Sequence, residues 1–332
     1  MRSGNVRRSG RAAVLAAAIA GVGSLAAGAA HTAESAWPVR PIRLIAVFPA
    51  GGSVDAVART VAARLSESLK QQVIVDNRAG AGGQVGVEIA TRAAADGYTL
   101  VIAANSITTY EVLVPKLGFD YAKDLAPVSL VASAPLVLCT PPALPVATGP
   151  ELIAYGRARP GKLNFSSSGT GTSSHLAGEL FREMAGLSLV HVPYKGAAPA
   201  ITDLIGGQVQ LMFSSALSMV TLVQGGKLRG LGVSSAQRLP VLPDVPTVAE
   251  FLPGYELSPW FGIWAPAATP RPIVEQLSRE IRRVLERPDV REFYARQGAL
   301  PVANAPDEFA RFIRTEAVKW QGLTKRVQPA PN

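Results

Sequence analysis

Cysteine is nearly missing from this sequence: Cys139 stands alone among 332 residues, and only three histidines (His31, His175, His191) accompany it. One thiol excludes a disulfide scaffold and any clustered-thiol zinc or iron–sulfur site. Three scattered histidines leave little room for histidine-based zinc chemistry, so no metal and no cofactor are expected. Cys139 lies in an apolar stretch, the setting of a core residue rather than a nucleophile. Charge is scarce as well, 17% against 48% hydrophobic residues. A chain so balanced buries sizeable cores and is neither disordered nor a coiled coil. Beyond the first residues no run approaches the ~20 apolar residues that a membrane helix needs. The G-x-S-x-G elbow is absent, so an exported serine hydrolase, one of the readings kept open, lacks its usual frame.

What is present begins with an address. Residues 1–33 carry Arg2, Arg7, Arg8 and Arg11, no acid, and an Ala/Gly-rich apolar run from Ala12 to Ala30. A basic start, an apolar middle and a small-residue exit describe a secretory signal peptide, cleaved near Ala30 or Ala33. A membrane anchor is the competing reading, against which the run is weakly hydrophobic. Arg7-Arg8 followed by Ser9-Gly10-Arg11 is a poor twin-arginine signal, so the general secretory route is expected. No cysteine near the cleavage point offers a lipoprotein anchor. Cleavage leaves 29 basic against 24 acidic side chains, a net charge of +5. The group Arg279, Arg282, Arg283 and Arg287 reads as the solvated face of one helix, and nucleic acid is not an expected partner.

The length suits two domains of about 150 residues, and the pattern is a repeated alternation of strand and helix. Ile42–Val47 reads as a buried strand, after which Val54, Val57, Ala58, Val61, Ala62, Leu65 and Leu69 fall at helical spacing. A strand at Val73–Val75, a helix from Gly82 to Ala94 and a strand at Thr99–Ala103 complete a βαβαβ unit. After the stretch Pro127–Leu138 comes a helix over 149–158, a strand at Leu163–Ser166 and a helix at Ser174–Ala185. A strand at Leu189–Val192, a helix near Ala198–Ile205, and strands at Leu211–Phe213 and Leu228–Val233 follow. Three helical stretches (Ile273–Leu285, Asp289–Gln297, Pro306–Arg326) end the chain and could pack on either unit.

Two loops have the make-up of anion cradles. Pro49-Ala50-Gly51-Gly52-Ser53-Val54-Asp55 lies between a strand and an amphipathic helix, where unpaired N–H groups and the positive dipole end suit a carboxylate or phosphate. It also sits at the carboxyl end of a strand, where ligands bind in open α/β sheets; the plainer reading is that Ser53 and Asp55 only cap the helix. The second loop, Ser166-Ser167-Ser168-Gly169-Thr170-Gly171-Thr172-Ser173-Ser174-His175, repeats the arrangement with hydroxyls and no charge before His175. It lacks the lysine of a phosphate loop, and a solvated flexible loop is the alternative. Tyr194 and Lys195 could add a phenol and an ammonium, and Asn105-Ser106, after the strand Thr99–Ala103, could add side-chain hydrogen bonds. Gly80-Ala81-Gly82-Gly83-Gln84-Val85-Gly86 imitates a dinucleotide fingerprint, but its spacing is wrong and Asp76 precedes it.

Taken together these strings resemble the extracytoplasmic solute receptors of tripartite tricarboxylate transporters, the Bug or TctC family. Phe48-Pro49-Ala50-Gly51-Gly52-Ser53-Val54-Asp55 resembles the family's first loop. Further matches, in order, are Asp76-Asn77-Arg78-Ala79-Gly80-Ala81-Gly82-Gly83, Asp96-Gly97-Tyr98-Thr99-Leu100, Lys123-Asp124-Leu125-Ala126-Pro127-Val128 and Pro160-Gly161-Lys162-Leu163-Asn164-Phe165. His175-Leu176-Ala177-Gly178-Glu179-Leu180-Phe181 and His191-Val192-Pro193-Tyr194-Lys195-Gly196 complete the set. The resemblance covers nearly all of the chain after the signal peptide and accounts for the imitation fingerprint as a family feature.

It implies an α/β, two-domain periplasmic binding protein of Venus-flytrap form, each domain a mostly parallel sheet flanked by helices. The implied division is residues 34–133 plus 259–332 against 134–258, with crossings near Ala132–Pro135 and Glu256–Trp260. Such a protein is a monomer without catalytic residues that binds a small carboxylate in the periplasm and delivers it to membrane permease subunits. Carried over, the ligand-binding residues are Ala50, Gly51, Gly52, Ser53 and Asp55, then Ser167, Ser168, Gly169, Thr170, Gly171 and Thr172, with Asn105, Tyr194 and Lys195 beside them. Many members have an acidic residue followed by Asn after the strand Leu211-Met212-Phe213, whereas this chain has Ser214-Ser215. That departure implies a ligand without an ammonium group. A receptor that reports to a membrane signalling partner remains the alternative.

Overall fold

Apolar runs punctuated by glycine and proline become the strands and helices of two lobes. The computed structural model describes residues 37–114 and 116–327; the expected signal peptide lies outside the described residues. In the first lobe, Ile42–Ala46 (β1) leads into the helix Ser53–Leu69 (α1), which buries Val54, Val57, Ala58, Val61 and Leu65 along one face as their three-to-four spacing requires. Val73–Asn77 (β2), Gln84–Thr91 (α2) and Thr99–Ala104 (β3) follow, then two single-turn helices, Tyr110–Leu113 (α3) and Tyr121–Asp124 (α4), and the long strand Leu125–Ser133 (β4).

Two residues later Leu136–Thr140 (β5) opens a second sheet. It is followed by Gly149–Arg157 (α5), Leu163–Ser167 (β6), Ser173–Ala185 (α6), Leu189–Pro193 (β7), Ala197–Ile205 (α7), Leu211–Ser215 (β8), Ala216–Gln224 (α8) and Arg229–Val233 (β9). The chain then returns to the first sheet as Trp260–Pro266 (β10) and ends with Arg271–Glu286 (α9), Pro288–Arg296 (α10), Leu300–Pro301 (β11) and Pro306–Val327 (α11).

The sheets share one plan, with strand orders β11-β4-β10-β3-β1-β2 and β7-β6-β8-β5-β9. In each, three parallel strands stand in the order second, first, third, and the next is an antiparallel strand newly arrived from the other lobe, β10 or β5. The expected α/β fold of two sheets flanked by helices is what the structure shows; within each sheet the strand from the other lobe runs against its neighbours, β10 antiparallel to β3 and β4, and β5 to β8 and β9. A chain entering from the cleft, at the carboxyl ends of the parallel strands, has to run back along them.

Gly262 in β10 leaves the space in which the Phe309 ring lies, packed against Trp260 and Trp264. That fixes the first half of α11 on the first sheet. Its second half carries Trp320 and Val327 into the core of the other lobe, among Leu180, Phe181 and Tyr255. The helix Ala216–Gln224 and the strand Trp260–Pro266 were not marked as such in the sequence reading. The first has Ser215 at its cap position but no side-chain cap bond, and little amphipathic contrast; the second is apolar throughout because both its faces are buried.

Candidate functional site between the two lobes

The loop that follows β1 is held open by its own carboxylate. Asp55, buried in the first turn of α1, accepts hydrogen bonds from the Gly51 amide, the Arg59 guanidinium and the Asn77 amide, each at 3.0 Å. Asn77 also donates to the Phe48 carbonyl at 2.9 Å. Burial pushes the Asp55 pKa up, but the hydrogen bonds from Arg59, Gly51 and Asn77 outweigh it and hold the carboxyl below its ordinary range. Gly51 adopts φ +82, which only glycine accepts freely. The amino end of α1 is left with Gly52 at its cap and no side chain bonded to its first amides.

The serine-rich loop is built in the same spirit, around two buried imidazoles. Ser167 Oγ accepts from the Gly169 amide at 3.2 Å and meets His191 Nε2 at 2.7 Å. The Gly171 amide donates to His175 Nδ1 at 3.1 Å, which places that ring's proton on Nε2. His175 and His191 stack at 4.1 Å between centroids, and the Phe165 ring lies 4.7 Å from His191 and 6.4 Å from His175. Burial drives both rings toward the neutral form, His175 to about 3 and His191 to about 4, with the charges of His191 and Arg182 adding to the effect at His175. Thr172 caps α6 by accepting from the His175 amide at 3.4 Å.

Between these loops lies a cavity of about 40 Å³. Gly52, Ser53 and Val54 bring the start of α1 to it, Thr172, Ser173 and Ser174 the start of α6, Ala197 the start of α7, and Ser214 and Ser215 the start of α8. Four helices thus aim their amino ends at one space, and three of them, α1, α7 and α8, carry no capping side chain. Phe48, Leu136, Pro259 and Phe261 supply apolar walls, and Ser106 and Ser168 further hydroxyls; no charged side chain lines it. The hydroxyl of Ser215 is buried there without a hydrogen-bond partner, a condition that costs about 1–3 kcal/mol until a ligand or water meets it. Unpaired amides, dipole ends and a free hydroxyl in an uncharged, partly apolar space make a receptor for a small anion.

Of the residues singled out in the sequence, Gly52, Ser53, Ser168 and Thr172 line this cavity. Gly169, Thr170, Tyr194 and Lys195 line a wider cleft of about 330 Å³, which also takes in Ala81, Gly82 and Leu113. Tyr194 is occupied, its hydroxyl donating to Asp203 at 2.6 Å. Ala50, Gly51, Asp55, Asn105, Ser167 and Gly171 line neither space. Asp55, Ser167 and Gly171 instead bond the two loops into shape, and Asn105 is buried beside Ser106 with its side-chain amide unpartnered. Ser106, beside Asn105, and Ser173 and Ser174, at the end of the serine-rich loop, also line the smaller cavity although they are not among the residues carried over as ligand-binding, and Ser214-Ser215 stands in the sequence only as a departure from the family. The signal for the last pair was their place at the carboxyl end of a strand. The glycine loop that imitates a nucleotide fingerprint faces the serine loop: a Cβ on Gly82 would sit 3.0 Å from the Thr170 carbonyl. Among the described residues no group of three or more His, Cys, Asp or Glu is placed to hold a metal ion.

The sequence profile described as "Tripartite tricarboxylate transporter family receptor", TctC, matches residues 57–328. Protein BugT of Bordetella pertussis is 40% identical over 300 residues, 90% of this chain and 92% of that protein. The solved structure of R. palustris Rpa4515 with adipate superposes with a TM-score of 0.85 at 36% identity, over 88% of this chain and 98% of that one. MatC (Rpa3494) from Rhodopseudomonas palustris with bound malate gives 0.82 at 32% identity, over 86% and 99%. Family and fold are those of periplasmic solute-binding receptors rather than enzymes.

Proposed function

The chain belongs to the tripartite tricarboxylate transporter receptor family, and from that membership we propose that it captures a small carboxylate between its lobes and hands it unchanged to membrane permease subunits. The observation that carries this reading is the convergence of four helix amino ends, three of them uncapped, on a cavity with no charged side chain. The bodies that move are residues 34–133 with 259–332, and 134–258, except that the end of α11 stays with the second lobe, whose core holds Trp320 and Val327. An anion that bridges the two loops makes contacts that exist only when the lobes are together, so binding shifts the population toward the closed form. The closed surface is then what the permease reads. Binding of adipate and malate by the two relatives supports a carboxylate ligand. Export to the periplasm with removal of a leader near Ala30 or Ala33 belongs to the same reading, and the amino-terminal sequence of protein recovered from that compartment checks it.

The test is a thermal-shift screen of the mature chain against mono-, di- and tricarboxylates, followed by calorimetric titration. A true ligand at about 100 times its Kd stabilises the fold by about 2.7 kcal/mol. A screen in which no carboxylate raises the midpoint sinks the proposal.

A further inference from the structure

Gly171 lines neither cavity, yet both lobes hold it. Its amide donates to His175 Nδ1 at 3.1 Å within the second lobe, and its carbonyl accepts from Thr109 Oγ1 of the first lobe at 3.0 Å. Leu113, at the end of α3, covers it from the same side: a Cβ on Gly171 would stand 2.0 Å from the leucine Cδ1. Thr109 and Gly171 are both buried. Thr109 Oγ1 has a second acceptor in its own lobe, the Ser106 carbonyl at 2.8 Å. Its one proton therefore has a partner at Ser106 when the lobes part and another at Gly171 when they meet.

We propose that the Thr109–Gly171 bond is a latch between the lobes and that His175 is the positioning residue that sets it, so that closure on a ligand requires a neutral imidazole. This rests on the receptor reading above and adds to it. Gly171 stands at φ +80, a conformation from which a glycine turns easily unless its neighbours hold it. Nδ1 holds the amide only while it lacks a proton; a proton there sets one N–H against another. The freed glycine can then turn its carbonyl away from Thr109. The groups around the ring decide when that happens. On α6, Glu179 Oε1 lies 3.8 Å from His175 Nε2 and favours the imidazolium, but Glu179 is itself paired with Arg182 at 2.6 Å. Arg182 opposes a second cation nearby, and so does His191, stacked on the ring from β7. β6 brings only the uncharged Phe165 and Ser167. Burial adds to the opposition and keeps the latch set at pH 7. A closed form whose ring resists protonation more than the open form's must lose affinity as pH falls.

The experiment is calorimetric titration with malate and adipate, the acids held by the two relatives, at pH 7 and pH 5. The chains compared are the native one, His175→Asn, Thr109→Val and Thr109→Ser. Asparagine puts its side-chain oxygen where Nδ1 stood and does not titrate; valine keeps the shape of threonine without its proton. Thr109→Val is expected to bind about fivefold more weakly at pH 7, the worth of one net hydrogen bond, and Thr109→Ser to recover most of that loss. Protonation of the acids themselves weakens every chain alike between pH 7 and pH 5. Beyond that shared loss the native chain should lose about threefold or more, and His175→Asn nothing. Should His175→Asn fail to fold, Thr109→Val replaces it in the pH comparison, because a chain without the latch has none to lose. Equal pH ratios in the native chain and its comparison variant, or native affinity in Thr109→Val, overturn the latch and leave the receptor reading standing. Should neither acid bind the native chain, the receptor reading fails for them, and hydrogen exchange at the Gly171 amide tests the latch without ligand. Exchange about tenfold faster in Thr109→Val than in the native chain supports it, and equal rates overturn it.

Discussion

Asp55 and the two stacked histidines show how much of this site is made by residues that never face the ligand. Asp55 spends both oxygens on the loop that it shapes, so Asp55→Ala should weaken carboxylate binding about tenfold or more although no cavity wall is lost. The Gly51 and Asn77 groups it leaves unmatched should also cost about 1–3 kcal/mol in urea unfolding. His175 and His191 make a prediction about pH. Unfolded imidazoles take up protons near 6.5, whereas these rings do so only at about 3 and about 4. Across that window the unfolded chain binds more protons, so stability is complete above about pH 7 and falls as pH drops toward 4. At pH 5 the loss is about 2 kcal/mol for each ring. His175→Gln, whose side-chain oxygen can still accept from Gly171, should remove its share of the pH 7 to pH 5 difference; an unchanged difference would show that the imidazole titrates normally in the fold. Residue types announced the loops, because glycine and hydroxyl runs at strand ends have few other uses. They did not separate the residues that line the cavity from those that tie the loops, which depends on where each side chain is spent.

At the scale of elements, both anion loops, nearly all the helices and most strands could be read from periodicity and turn residues. The omissions share a cause. β10 is buried on both faces, and α8 is apolar over most of its length even where Thr221 and Gln224 reach solvent, so neither shows a clear period to detect. The glycines of the Gly80–Gly83 loop were read as a nucleotide motif gone wrong, whereas their physical role is proximity: they bring one lobe's backbone against the other's. The same holds for Gly196, where a Cβ would stand 2.5 Å from the Pro49 ring of the facing lobe. Gly196→Ala is therefore expected to hold the lobes apart and weaken ligand binding at least tenfold, about 1.4 kcal/mol. Small-angle scattering should show a radius of gyration that no longer shrinks when ligand is added. If the variant contracts and binds like the native chain, the Pro49–Gly196 approach has no part in closure.

Over the whole molecule the last helix ties together what the cleft divides. α11 begins on the first sheet, through Phe309 and Ile313, and ends in the second lobe's core, through Trp320 and Val327. Midway, Glu316 accepts from the indoles of Trp260, at 3.1 Å, and Trp320, at 2.8 Å. Arg326 adds an ion pair to Glu183 on α6, exposed and worth little. Two lobes joined only by short crossings would be free to unfold separately, whereas a buried tryptophan supplied by one lobe's helix to the other's core makes each depend on its neighbour. The intact chain should accordingly unfold in one calorimetric transition. Trp320→Ala opens a cavity in the second lobe and should cost about 3–5 kcal/mol. Deleting residues 317–332 removes the strap itself and should split the transition in two, the lower one belonging to the second lobe. A truncated chain that still melts in a single step at the native midpoint would mean that the crossings alone couple the lobes, and that α11 merely covers a seam it does not hold.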